Sequence, residues 1–270
     1  MRNEVDTRDF ARRIRAHALR MVAAANASHI GSCLSIADIL AVLYASALRI
    51  DPREPSAPNR DRFILSKGHA AAILYAALAE RGFFPLGDLA SFCRNGSPLT
   101  GHISHAVPGV EVSTGSLGHG LPLAAGMALA ARADKRATRV FCLLSDGECD
   151  EGSNWEAILF AGHHRLANLT AIVDYNKIQS FGRVADVLDL HPFADKWRAF
   201  GWDTVELDGH DHAALDSALA SRQQVQAKPR AVIAHTIKGK GVPYMEDRLE
   251  WHYKSPNPEQ LAQALAELEA

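Results

Sequence analysis

The stretch that decides the fold is LLSDGECDEGSNWEAILFAGHHRLANLTAIVDYNKIQ, residues 143–179. It places Asp146 and Gly147 directly after one apolar run and Asn176 a few residues after the next. Carboxylate and amide oxygens are hard donors of the kind that Mg²⁺ and Ca²⁺ prefer. The alternative is that Asp146-Gly147 forms an ordinary turn and that Asn176 caps a helix.

The two apolar runs have the character of short strands. RVFCLL (139–144) and NLTAIV (168–173) are rich in β-forming residues, and the segment between them, 151–166, has a helical pattern. A strand–helix–strand unit makes the two strands parallel, so the loops that follow them share the carboxyl edge of the sheet. Open α/β folds bind ligands at that edge, and the donors thirty residues apart therefore meet there.

The same alternation continues along the chain and predicts an α/β fold, a mainly parallel sheet with helices on both faces. No linker divides residues 1–270, which we treat as a single domain. The predicted strands are 62–65, 139–144, 168–173, 203–207 and 229–234. The predicted helices are 7–25, 35–48, 70–81, 121–134, 151–166, 192–200, 211–227 and 258–270.

Histidines form a second group of candidate functional residues. The chain has thirteen, and four lie in predicted loops: His29 in NASHIGS, His69 in SKGHA, His102 in TGHISH and His252 in EWHYK. Each one alone is equally typical of a capping or surface histidine.

Composition excludes several classes of function. A net charge of −2 gives no field for nucleic acid or for an anionic membrane. No apolar run approaches the roughly 20 residues of a membrane span, and the mixed acidic and basic N-terminus is unlike a signal peptide. The four cysteines form no C-x-x-C pair, which favours reduced thiols and a cytoplasmic location.

Residues 143–179 resemble the thiamine diphosphate fingerprint, G-D-G followed about thirty residues later by N, with Ser145 in place of the first glycine. In detail the chain resembles transketolase, through EG-x₂-WEA, AG-H-x₂-L-x-NL and D-x-NK-I-Q. The resemblance extends over residues 16–254, through NASHIGSCLSIADILAVLY, LSKGHAAAILYAAL, PGVEVSTGSLGHGLPLAAGMALA and HTIKGKGVPYMED.

The resemblance implies that thiamine diphosphate is bound through a divalent cation, Mg²⁺ or Ca²⁺. Asp146, the side chain of Asn176 and the backbone carbonyl of Ile178 would hold the metal, and the N–H of Gly147 would face the phosphates. It also places Glu151 at the contact between active-site halves. A first-turn acid favoured by the helix dipole explains Glu151 equally well.

The resemblance gives the loop histidines catalytic roles. His69 and His252 lie beside the phosphates and the substrate in this family, whereas His29 and His102 line the channel to the reactive carbon of the cofactor. GSLGHG would let the aminopyrimidine approach the backbone, although an ordinary helix start has the same pattern. The implied cofactor-binding residues are His69, Gly115, Ser116, Leu117, Gly147, Glu151, Asn176 and His252.

Full-length transketolases are more than twice as long as this chain, and their second domain supplies further active-site residues. The resemblance therefore implies a split transketolase that transfers a two-carbon ketol group between sugar phosphates. The pyrimidine-binding and C-terminal domains would belong to a separately encoded partner in an α₂β₂ heterotetramer. The alternatives are a 1-deoxyxylulose-phosphate synthase-like or dehydrogenase E1-like component, or a cofactor-binding chain without catalysis.

Overall fold

Seven strands are present in the computed structural model, which describes residues 5–220 and 228–269. They are β1 (Arg62–Leu65), β2 (Val140–Ser145), β3 (Leu169–Tyr175), β4 (Ile178–Gln179), β5 (Gly182–Arg183), β6 (Asp203–Asp208) and β7 (Arg230–His235). Five of them form one sheet in the order β1-β2-β3-β7-β6, and every neighbouring pair is parallel. The predicted α/β class is confirmed.

Ten α-helices surround this sheet within the described residues. They are α1 (Thr7–Ala25), α2 (Ile30–Ser35), α3 (Ala37–Val42), α4 (Ala71–Glu80), α5 (Gly120–Ala133), α6 (Gly152–His163), α7 (Val184–Val187), α8 (Phe193–Ala199), α9 (His212–Ala220) and α10 (Pro258–Glu269). None of these helices is long and apolar enough to cross a bilayer. The last parts of two predicted helices, 221–227 and residue 270, lie outside the described residues.

The alternation of side chains along β2 builds a separate core on each face of the sheet. Phe141 and Leu143 belong to the core that contains residues of α1 to α4. Val140, Cys142 and Leu144 belong to the other core, with residues of α5, α6 and α8. Burial on both faces explains why the strand is apolar without a break from Val140 to Leu144 and lacks a polar and apolar alternation.

The predicted helix 35–48 differs from the observed structure. The chain is already helical from Ile30, breaks at Ile36 and ends in a π-helical turn, Leu43–Ala47. The early start was missed because His29, in the left-handed conformation (φ 73°), precedes the helix without a capping side-chain hydrogen bond. Sequence rules for a helix start depend on such a capping side chain.

A small antiparallel hairpin, β4 and β5, follows β3 and was not predicted. Strands of two residues are too short to show a periodic pattern. The chain turns into the hairpin at Lys177, which has a φ of 70°. This turn brings Ile178 and Gln179 to the carboxyl edge of the sheet, beside the loop that follows β2.

Candidate active site

A cavity of about 230 Å³ lies at the carboxyl edge of the sheet. Its lining includes all four of the loop histidines and the three predicted metal donors. Two predicted cofactor-binding residues, Ser116 and Glu151, are exposed and do not line it. The full lining is His29, Ser32, His69, His102, Gly115, Leu117, Ser145, Asp146, Gly147, Glu148, Asn176, Ile178, Gln179, Ser180, Lys238 and His252.

The predicted metal donors lie on two adjacent loops, after β2 and after β3. The Asp146 carboxylate is 1% exposed and accepts hydrogen bonds from the backbone N–H of Gly147 (2.8 Å) and of Lys177 (2.5 Å). Asn176 Oδ1 accepts a hydrogen bond from the N–H of Ile178 (3.1 Å). Among the described residues, no three His, Cys, Asp or Glu side chains form a metal-binding group. A cation here would therefore need the amide and carbonyl oxygens.

The electrostatic environment of these metal donors favours a divalent cation. Burial, and then the neighbouring carboxylate of Asp174, raise the pKa of Asp146 to about 6. The ammonium of Lys238 donates to the carbonyl oxygen of Ile178 (3.0 Å), and burial with the nearby Lys67 lowers the pKa of Lys238 to about 8. A carboxylate whose charged form is disfavoured by burial gains from a hard cation. The residues present fit the metal that the resemblance implies.

Glycine is required at two places beside the cavity. A Cβ atom at Gly147 would lie 2.7 Å from the Cβ of Gln179, and one at Gly115 would lie 2.9 Å from the ring of His102. Either contact is too close for a side chain, so glycine is required at both positions by the packing of Gln179 and His102.

The four loop histidines form a compact group. The ring centroid of His29 lies 5.1 Å from those of His69 and His252 and 6.0 Å from that of His102. His29 takes the left-handed backbone conformation, and its N–H donates to the carbonyl of His252 (2.9 Å). A strained backbone at such a cluster is held by its surroundings and is typical of functional sites.

Burial keeps three of these imidazoles, those of His29, His69 and His252, neutral near pH 7. Burial first, and then the neighbouring His102 and Lys238, lower the pKa of His29 to about 4. Burial and Lys238 lower the pKa of His252 to about 3, and burial together with Lys67 holds the pKa of His69 well below 6.5. Neutral imidazoles can both donate and accept hydrogen bonds.

The lowered pKa of His29 predicts acid sensitivity of the folded chain. An unfolded histidine titrates near pH 6.5, so the unfolded state binds more protons between about pH 4 and 6.5. The free energy of unfolding therefore falls as the pH falls through that window. The titratable and charged groups that face His29 are the three other loop histidines, Lys67 and Lys238.

Urea unfolding at pH 7.5 and pH 5.0 measures this effect. Between pH 7.5 and pH 5.0 we expect the free energy of unfolding to fall less in His29→Asn than in wild type, by about 1 kcal/mol. This figure includes a reduction for solvent screening, because the ring is partly exposed. His17→Asn is the control, since that histidine lies on α1 away from the cavity. Equal pH dependence in wild type and His29→Asn would contradict the prediction.

Six further residues line the cavity that the sequence analysis did not assign to it: Ser32, Ser145, Glu148, Gln179, Ser180 and Lys238. The Ser32 hydroxyl lies 2.9 Å from His69 Nε2. Lys238 Nζ lies 2.9 Å from His252 Nδ1, and because an ammonium only donates, a neutral His252 carries its proton on Nε2. Lys238 lies in HTIKGKGVPYMED, one of the stretches that carry the resemblance.

Glu148 connects the two loops that border the cavity. One oxygen of its buried carboxylate accepts hydrogen bonds from the N–H of Gly118 (3.0 Å) and from the hydroxyl of Ser66 (2.5 Å). The other accepts from the N–H of Ser145 (3.3 Å). These hydrogen bonds fix the loop that contains Gly118 relative to Asp146. No local sequence pattern marks this role of Glu148, because its partners Gly118 and Ser66 lie far from it along the chain.

The fold and the cavity define an α/β enzyme domain with a cofactor site at the carboxyl edge of a parallel sheet. The family model described as "Transketolase, thiamine diphosphate binding domain" matches residues 6–267. The chain belongs to this family, as the resemblance predicted.

Relatives of similar length carry names that describe them as subunits. The 6-deoxy-6-sulfo-D-fructose transketolase subunit of Clostridium sp. (strain MSTE9) is 41% identical over 98% of this chain and 97% of that protein. An apulose-4-phosphate transketolase subunit of Phocaeicola vulgatus is 40% identical over 94% of this chain and 90% of that protein.

Solved structures show the same fold in longer chains. The transketolase of Campylobacter jejuni superposes with a TM-score of 0.92 at 32% identity. The match covers 97% of this chain and 42% of the Campylobacter chain. This chain thus spans less than half of that transketolase, while it spans nearly all of the subunits named above.

Proposed function

We propose that this chain is the diphosphate-binding subunit of a two-subunit transketolase. With its partner it would transfer a two-carbon ketol group from a ketose phosphate to an aldose acceptor. The observation that carries the proposal is the cavity in which three oxygen donors and four loop histidines meet. Relatives of similar length that are named transketolase subunits support the division into two chains.

The cofactor side of the proposal assigns the residues that would hold it. Asp146, the Asn176 amide oxygen and the Ile178 carbonyl would bind Mg²⁺ or Ca²⁺, both of which prefer such oxygens. Lys238 donates to the Ile178 carbonyl in this structure, and its ammonium would remain close enough to help neutralise the negative charge of a diphosphate. Ser116 and Glu151 lie outside the cavity, so their roles would depend on the partner chain.

The catalytic side of the proposal rests on the histidines. When bound, thiamine diphosphate supplies the carbanion sink for the two-carbon unit. His29, His69, His102 and His252 would hydrogen-bond the hydroxyl groups of the sugar and transfer protons as a carbonyl becomes an alcohol. The Nε2–H of His252 would serve as a donor, because Lys238 occupies its Nδ1. The buried, neutral state of three of these rings supports this role.

The partner side of the proposal follows from the size of the cavity. Sites that enclose small molecules usually have volumes of about 300–1,000 Å³, and this one is smaller and open on one side. We expect a separately encoded chain with the pyrimidine-binding domain to complete it, in a cytoplasmic α₂β₂ assembly. Residues 1–270 would act as one diphosphate-binding domain. A cofactor held between two chains also stabilises their complex by mass action.

Two relatives carry names that specify 6-deoxy-6-sulfo-D-fructose and apulose 4-phosphate, so substrates differ among transketolase subunits of this length. A panel of ketose donors should therefore include phosphorylated and sulfonated sugars.

The test is a reconstitution assay with thiamine diphosphate and Mg²⁺. This chain alone, a candidate partner encoded beside it, and the mixture are each given the donor panel with an aldose acceptor. We expect ketol transfer from the mixture only. Robust transfer by the rigorously purified chain alone would contradict the two-subunit proposal. An inactive mixture that still binds the cofactor would favour a non-catalytic cofactor-binding role.

A further inference from the structure

A charged pair lies fully buried beneath the cavity. Lys67, in the loop after β1, and Asp174, near the end of β3, are both 0% exposed, and Lys67 Nζ is 2.6 Å from Asp174 Oδ2. Neither residue lines the cavity. Burying two charges costs desolvation, and an apolar pair of similar size is often at least as stable. Stability alone is therefore a poor explanation for the pair.

The carboxylate of Asp174 accepts hydrogen bonds from four segments of the chain. Besides Lys67, it accepts hydrogen bonds from the hydroxyl of Ser35 (2.7 Å), from Asn176 Nδ2 (2.9 Å) and from the hydroxyl of Thr236. These segments are α2, the loop after β1, the loop after β3 and the loop after β7. Asp174 is thus the common acceptor under the carboxyl edge of the sheet.

One of these hydrogen bonds decides how Asn176 is oriented. An ionised carboxylate only accepts, so the NH₂ end of the Asn176 amide must face Asp174. The oxygen end is then turned away, toward the N–H of Ile178 and the cavity. Without an acceptor at position 174, the amide could rotate and place its NH₂ group where a cation requires an oxygen.

We propose that Asp174 is a positioning residue that fixes the Asn176 amide with its oxygen toward the metal. Lys67 pairs with the same carboxylate, with its Nζ 2.6 Å from Asp174 Oδ2. The inference rests on the proposed function, because it assumes that Asn176 is a metal ligand. Partners that orient metal ligands typically change metal affinity by about 10- to 100-fold when they are removed.

The test compares two neutral replacements of the pair in the assembled complex. Lys67→Met with Asp174→Ala removes the acceptor, whereas Lys67→Met with Asp174→Asn retains an amide oxygen that can accept from Asn176. Asp61→Asn is the control for stability, since Asp61 is also 0% exposed and pairs with Arg49 and Arg139 at the opposite edge of the sheet. The readouts are the melting temperature and the Mg²⁺-dependent affinity for thiamine diphosphate by calorimetry.

We expect the alanine double variant to bind the cofactor about 10- to 100-fold more weakly. The asparagine double variant and Asp61→Asn should bind within a few-fold of wild type, whatever their melting temperatures. Undiminished binding by the alanine variant, or an equal loss in Asp61→Asn, would overturn the inference. If the alanine double variant does not fold, the test rests on the folded asparagine double variant. Loss of its Mg²⁺-dependent binding of thiamine diphosphate would overturn the inference.

The wild-type complex separates this inference from the function on which it rests. A wild type that shows no Mg²⁺-dependent binding overturns the proposed function and the inference together. A wild type that binds, beside an alanine double variant that binds equally well, overturns the inference alone.

Discussion

Asp146→Ala is expected to weaken Mg²⁺-dependent binding of thiamine diphosphate by on the order of 100-fold or more. Asp146 is the only anionic donor among the three proposed metal ligands. Removing it leaves a neutral amide and a carbonyl, which hold a divalent cation poorly. The affinity of the assembled complex is measured by calorimetry in Mg²⁺ and in a chelator.

The control for this prediction is Asp150→Ala, which removes a carboxylate from the same loop. Asp150 does not line the cavity, and its carboxylate accepts a hydrogen bond from the Gln179 side chain (3.0 Å). We expect its affinity for the cofactor to change little. Unchanged affinity in Asp146→Ala would refute the metal assignment, whereas equal losses in both variants would indicate general damage to the loop.

His69→Ala is expected to lower turnover by on the order of 100-fold or more, the range for loss of a proton-transfer group. Its ring lies 5.1 Å from that of His29, and its Nε2 lies 2.9 Å from the Ser32 hydroxyl, so it belongs to the histidine group of the cavity. Steady-state kinetics of the reconstituted enzyme measure the loss.

His17→Ala provides the matched comparison for a structural histidine. His17 lies on α1, where its Nε2 is 3.0 Å from a carboxylate oxygen of Glu80. This variant should reduce stability slightly and leave turnover near the wild-type value. Similar turnover in the two variants would mean that the loop histidines are structural.

The main features of the site were predictable because their signals are local. Asp146 and Asn176 each follow an apolar strand, and parallel strands bring such positions to one edge. The loop histidines could be selected because they lie outside helix faces. The prediction that Ser116 and Glu151 contact the cofactor came only from resemblance, and this chain leaves both exposed beside the cavity.

The remaining features depend on tertiary contacts that a sequence pattern does not contain. Lys67 in SKGHA has the composition of a surface loop, yet it is fully buried because Asp174, 107 residues away, pairs with it. Lys238 faces His252 only because two loops meet. The hairpin that carries Ile178 has strands of two residues, below the length at which periodicity is visible.

The assignment of the metal and the diphosphate to this cavity is tested by a structure of the assembled complex with thiamine diphosphate and Ca²⁺, because anomalous scattering locates the metal. The account predicts one Ca²⁺ in the cavity, with oxygens of Asp146, Asn176 and Ile178 at about 2.3–2.6 Å and the cofactor phosphates completing the coordination. A metal held by other residues, or a diphosphate bound away from this cavity, would contradict it.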